Sequence, residues 1–177
     1  MIGFYINRLV LFRWSPLLSK EKEVDKIRVE TDIEKTEILY GSDNITKRAI
    51  DDFHKIQERF DNCTDSTGPS VFFNSTPIWK EFVALKNRGI KLRFITEITK
   101  DNIKYCKELM KIAELRHLDS IKGNFGISDG KNYGGSAIVK EGQPPIEIMR
   151  SNIKTFVECS RGWLVFCQEQ QVFIDRF

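Results

Sequence analysis

The chain has 177 residues, 41% hydrophobic and 30% charged with 13 Phe, which excludes a disordered chain and suits one compact domain with an aromatic-rich core. Its 28 Lys plus Arg stand against 25 Asp plus Glu, and the net charge of +3 is spread along the chain rather than gathered on the basic face that nucleic acid demands. Four cysteines without C-x-x-C spacing and two histidines make a zinc site a poor fit, and unpaired thiols suit a reducing cytoplasm.

Residues 2–12 are apolar but interrupted by Asn7 and Arg8, shorter than the roughly 20 residues that cross a bilayer, and no small-residue cleavage site follows. Residues 19–32 are dense in Lys, Glu and Asp, so 1–33 reads as a charged and apolar lead-in to a fold that begins at Glu34. Residues 36–40 form a strand closed by Gly41. Ser42 then caps a helix whose apolar face is Ile45, Ala49, Phe53, Ile56 and Phe60. Residues 60–64 read as the next strand, and 65–70 as a loop by their turn residues. Thr76 and Pro77 open a second helix that Gly89 stops.

Residues 90–98 form a strand, and 101–115 a helix with Ile103, Cys106, Leu109, Met110 and Ala113 on one side. Residues 118–122 and 125–129 read as short strands, with Asp129-Gly130 turning toward a hairpin partner at 135–139. After Pro144-Pro145, the spacing of Ile146, Met149, Ile153 and Phe156 predicts an amphipathic helix. The α/β domain spans 34–158, and 159–177 is a helical tail. This order is the grammar of an open α/β fold with a central mixed sheet flanked by helices, where ligands bind outside the carboxyl ends of strands. Asp65, Ser66, Thr67 and Ser70, with Thr96 and Glu97, occupy that place. Lys122, Asn124 and Phe125 offer a cation, an amide and an aromatic wall beside it. Arg93 falls four residues before Glu97, poised to pair with it or with an acidic ligand.

Four stretches in order, TEILYGSDN (36–44), DNCTDSTGPS (61–70), LKNRGIKLRFITEITKDN (85–102) and YCKELMKIAELRHLDSIKGNFGIS (105–128), resemble the sensor region of signal-transduction histidine kinases from ammonia-oxidising archaea. The resemblance implies a cytoplasmic input module, distantly phospholipase D-like and similar to archaeal transcription-regulator effector domains. It implies an unidentified small-molecule or anionic ligand, output to a kinase core or response-regulator pathway, and no cofactor of its own, since ATP serves only the kinase part of full-length relatives. No nucleic acid or membrane span is expected, and a homodimer is compatible with it. No asparagine-bearing ATP-lid motif with glycine boxes follows Glu158, and 159–167 (CSRGWLVFC) departs from the relatives' glutamine-rich helix, so the output connection reads as truncated.

Phospholipase D-type catalysis uses H-x-K-x-x-x-x-D, with histidine attacking phosphorus while lysine holds the phosphate. His117 has Asp119 two residues on, where lysine is required, and the gap from Lys122 to Asp129 is too wide, with Ser120 in place of a histidine. The expectation is therefore a domain that senses without catalysing. A degenerate phosphodiesterase and a transcription-regulator effector domain are the alternatives. His117 reads as a helix-terminal histidine favoured by the dipole, or as a phospho-acceptor beside Asp119.

Overall fold

The computed structural model describes residues 33–121, 123–136 and 143–169. The lead-in up to residue 32, Lys122, residues 137–139 of the expected hairpin partner and the tail beyond 169 lie outside the described residues. Chain contacts divide the protein into Met1–Ile33 and Glu34–Phe177, and every element below belongs to the second unit.

One mixed sheet of seven strands organises that unit. The strands are β1 (Thr36–Tyr40), β2 (Arg59–Thr64), β3 (Lys91–Thr96), β4 (Glu114–His117), β5 (Asn124–Ser128), β6 (Asn132–Ser136) and β7 (Glu147–Ser151). Their spatial order is β1-β7-β6-β5-β2-β3-β4. The pairs β2–β3 and β3–β4 are parallel, and all the others are antiparallel. Parallel strands need crossovers, which here are α2 (Gly68–Asn74) with α3 (Thr76–Asn87), and then α4 (Ile103–Met110). Being covered on both faces, β2 and β3 are buried along most of their length, whereas β1 alternates between half-buried and exposed.

The helices divide between the two faces. On one face α1 (Ser42–Phe53), α3 and α4 bury a core in which Phe82 meets Phe53, Phe60, Phe72 and Phe94, with ring centroids 5.4 to 5.9 Å apart. Tilted and edge-on contacts at that range add to the gain from apolar burial. On the other face Val157 and Leu164 of α5 (Lys154–Glu169) cover Cys63, Ile95 and Ile127. Among the described residues no helix is long and apolar enough to cross a membrane.

Several expected elements differ. α1 stops at Phe53, because the Arg88 guanidinium takes the carbonyls of Phe53 and Ile56. Ile56 and Phe60 therefore reach the core from the turn and from β2. Ser42 and Thr76 are the first helical residues, with Gly41 and Ser75 at the cap positions. The expected loop at 65–70 already contains the start of α2. The helix expected to reach residue 115 ends at Met110, and Glu114–His117 pairs with β3 as an edge strand, leaving no strand at 118–121. The helix expected from Ile146 is β7, held between β1 and β6, and the helix starts only at Lys154.

The β5–β6 turn is tied to the start of β2. Asp129 and Gly130 both adopt left-handed backbone, with φ of 51° and 66°. The Asp129 carboxylate accepts the backbone N–H groups of Gln57, Glu58 and Arg59 at 2.9, 2.9 and 3.0 Å. Burial works against its charge, but the three amides together outweigh burial and hold the carboxyl below its usual range. A depressed folded-state value stabilises the fold above the unfolded value of about 3.9, and that contribution disappears as pH falls through the folded value. Asp129→Asn keeps the tolerance for left-handed backbone and removes the charge. Urea unfolding is expected to show a lower midpoint for the variant at neutral pH, and a smaller loss of stability than the parent between about pH 5 and about pH 3.

Candidate functional site

The carboxyl ends of β1, β2, β3, β4 and β6 and the amino ends of β5 and β7 lie at one end of the sheet. Here the backbone leaves the sheet and its polar groups need new partners. The Thr64 hydroxyl donates to Asn124 Oδ1, and Asn124 Nδ2 donates to Asp65 Oδ2 at 3.0 Å. Asp65 Oδ1 accepts from the Thr67 amide and hydroxyl at 2.9 and 2.7 Å. The hydroxyl of fully buried Thr96 donates to the Asp65 carbonyl at 2.8 Å.

Asn102, just before α4, ties the two parallel strands together. Its Nδ2 donates to the carbonyls of Ser66 and Glu97 at 2.7 and 2.8 Å, and its Oδ1 accepts the Thr99 amide at 2.8 Å. The residue is 4% exposed, so these bonds are made away from water. Gly68 lets α2 start directly against β2, since a Cβ there would overlap the Thr64 side chain.

Of the residues singled out from sequence, Asp65, Ser66, Thr67, Thr96, Glu97 and Asn124 come together at this end, through side chains or carbonyls. Ser70 donates to the Thr67 carbonyl within α2 at 2.7 Å. Arg93 stands apart: β3 ends before Glu97, and Arg93 Nε reaches Asp61 on β2 at 2.6 Å, which holds its charged form firmly. His117 closes β4 rather than a helix. Its Nδ1 accepts the Ile98 amide at 3.0 Å, and its Nε2 lies 3.0 Å from Asp119 Oδ1.

The open space lies beside this cluster, on the sheet face beneath α1 and α2. A trench of about 220 Å³ has β5 and β6 in its floor and Ile45, Ala49, Val71 and Phe72 among its walls. Thr67, Asn124 and Phe125 are the sequence-singled residues that line it. Sequence reasoning missed Asn62 and the glycines Gly126 and Gly134, which also line it. Asn62 Nδ2 donates to the Phe125 carbonyl at 3.1 Å, while Asn62 Oδ1 is buried with no partner among the described residues.

No protein-family model matches the chain, and no curated protein matches it. Among solved structures, NucT from Helicobacter pylori superposes with a TM-score of 0.63 at 13% identity, over 80% of this chain and 99% of that one. Nuc from Salmonella typhimurium, a phospholipase D family member, superposes with a TM-score of 0.62 at 12% identity, over 78% and 97%. The chain has a phospholipase D-like fold. The archaeal chromatin protein TrmBL2, whose structure shows a mode of DNA binding, superposes with a TM-score of 0.59 at 16% identity; the match covers 95% of this chain and 66% of that one.

Counted back from Asp129, which follows β5, the lysine place of H-x-K-x-x-x-x-D falls on Asn124 and the histidine place on Lys122. Asn124 offers an amide that is already bonded at both ends, instead of a phosphate-holding cation.

Asn102→Ala leaves the Ser66 and Glu97 carbonyls and the Thr99 amide without their side-chain partner. It is expected to cost about 2–4 kcal/mol, read as a lower urea midpoint at unchanged slope.

Proposed function

We propose that this chain is a ligand-sensing input domain that uses the phospholipase D-like fold without phosphodiester chemistry. The observation that carries the reading is an open trench lined by Asn124, in a chain where counting back from Asp129 puts Lys122 and Asn124 at the histidine and lysine places of the motif. A lysine at the nucleophile's position is cationic near neutral pH, and an amide at the phosphate-holding position carries no charge to offset a phosphoryl group. The Asp129 carboxylate, the remaining motif residue, is held by three backbone amides and acts on the turn.

The sensor resemblance over residues 36–128 supports a place in a cytoplasmic two-component system, upstream of a histidine-kinase core. β7 is the natural relay, because Ile148 and Arg150 line the trench while β7 leads through Asn152 and Ile153 into α5. A ligand with different affinity for two positions of β7 would shift α5 between them. The effector domain of an archaeal transcription regulator is the second reading, favoured by the superposition on TrmBL2 over 95% of this chain.

The test is turnover of bis(p-nitrophenyl) phosphate by the purified chain, with His117→Ala as control. The expected result is hydrolysis at the buffer rate for both proteins. Turnover by the parent that the His117→Ala variant loses would overturn the non-catalytic reading.

A further inference from the structure

The trench floor is unusual for a sheet, because two neighbouring strands present glycines opposite one another: Gly126 of β5 pairs with Gly134 of β6. The two positions are not equivalent. Above Gly126 the Phe60 ring already fills the place of a side chain, and a Cβ would meet it at 2.6 Å. Above Gly134 nothing among the described residues lies within 4 Å of where a Cβ would be. The Gly134 backbone has no left-handed φ, so the missing side chain serves open space rather than a turn. A glycine inside a strand weakens the strand and often marks the close approach of a ligand.

The second observation is the amide next to this space. Asn62 of β2 is 7% exposed and lines the trench, and it sits opposite Gly126 in the neighbouring register. Its Nδ2 is engaged by the Phe125 carbonyl, so Oδ1 is the free end, an acceptor with no donor among the described residues. A buried carbonyl oxygen without a donor is costly, and few such atoms persist in native structures without a reason.

Charge and shape narrow the occupant. Arg150, which also lines the trench, is paired with both Glu37 and Asp52, so it has no net charge to offer an anion. The walls named above are apolar, and the bare peptide groups at Gly134 present a flat surface. The volume exceeds the roughly 150 Å³ that accepts benzene in an engineered cavity. Asn62 and Gly134 are two strands apart, about 10 Å by strand spacing, so a ring system lying over Gly134 brings one edge substituent to Asn62.

We infer that the trench binds a neutral, one- or two-ring aromatic molecule that lies over Gly134 and donates one N–H or O–H to Asn62 Oδ1. This rests on the reading of the chain as a small-molecule sensor, and it names the ligand's chemical class. Asn62 sets the choice between rings with and without a donor, and Gly134 provides the room.

The experiment is calorimetric titration of the chain with indole, 1-methylindole and inorganic phosphate, repeated with Gly134→Val and Asn62→Leu. Gly134→Val is directed into empty space, so the variant is expected to unfold no earlier than the parent while losing indole binding. The parent is expected to prefer indole over 1-methylindole by about fivefold, the yield of one buried hydrogen bond. Asn62→Leu is expected to abolish that preference. Indole binding that Gly134→Val leaves unchanged, or an equal response to the two indoles, overturns the inference. Phosphate binding without indole binding overturns it while leaving the sensor reading in place. No response to any of the three probes counts against both.

Discussion

Two parallel strands must end somewhere, and at the ends of β2 and β3 the chain leaves the sheet in surroundings nearly closed to water. The carbonyls of Asp65, Ser66 and Glu97 would be stranded there, each at a cost of about 1–3 kcal/mol, without the Thr96 hydroxyl and the Asn102 amide. Asn102 matters most, since one side chain reaches both loops and holds the start of α4 against them. Asn124 does similar work from the antiparallel side, joining β5 to Thr64 and Asp65. The crossovers that give the fold its parallel half are anchored through these two amides.

This arrangement decides where chemistry is possible. In an open α/β sheet the strand ends are the customary ligand site, but here their polar groups largely satisfy one another. The free space has moved onto the adjoining sheet face, where Gly134 leaves a gap and Asn62 keeps an unmatched oxygen. The site thereby changes character, from a cluster of hydroxyls and carboxylates suited to a polar ligand to a largely apolar trench in which the Asn62 oxygen is unpartnered among the described residues.

Much of the scaffold was legible in the sequence because its elements carry strong local signals. β1 ends at a glycine, α3 carries Pro77 in its first turn and is stopped by Gly89, and Leu92, Phe94 and Ile95 mark β3 as a buried strand. The misread elements are those whose local pattern is ambiguous. α2 has seven residues and begins with Gly68-Pro69, which resembles a turn. The four residues of β4 continue the apolar spacing of the preceding helix through Leu115, and only pairing with β3 makes them a strand. β7 is half-buried on both faces, so Ile146 and Met149 show helical spacing as readily as alternation. The site was less legible still. Asp65, Thr67 and Asn124 were visible as polar residues after or before strands, but Asn62 is one amide inside a strand. The opposition of Gly126 and Gly134 exists only once the β5–β6 register is fixed.

The account's central claim is that the strand ends are closed by their own amides while the neighbouring trench is open. The side-chain amide resonances of Asn62, Asn102 and Asn124, followed by nuclear magnetic resonance as indole is added, address it directly. The account predicts that the Asn62 amide and the Gly134 backbone shift on addition, that the Asn102 amide keeps its shift and slow exchange with solvent, and that the Asn124 amide, which borders the trench, shifts without exchanging faster. Fast-exchanging Asn102 and Asn124 amides, or an Asn102 amide that responds to the ligand with Asn62 unmoved, would contradict it.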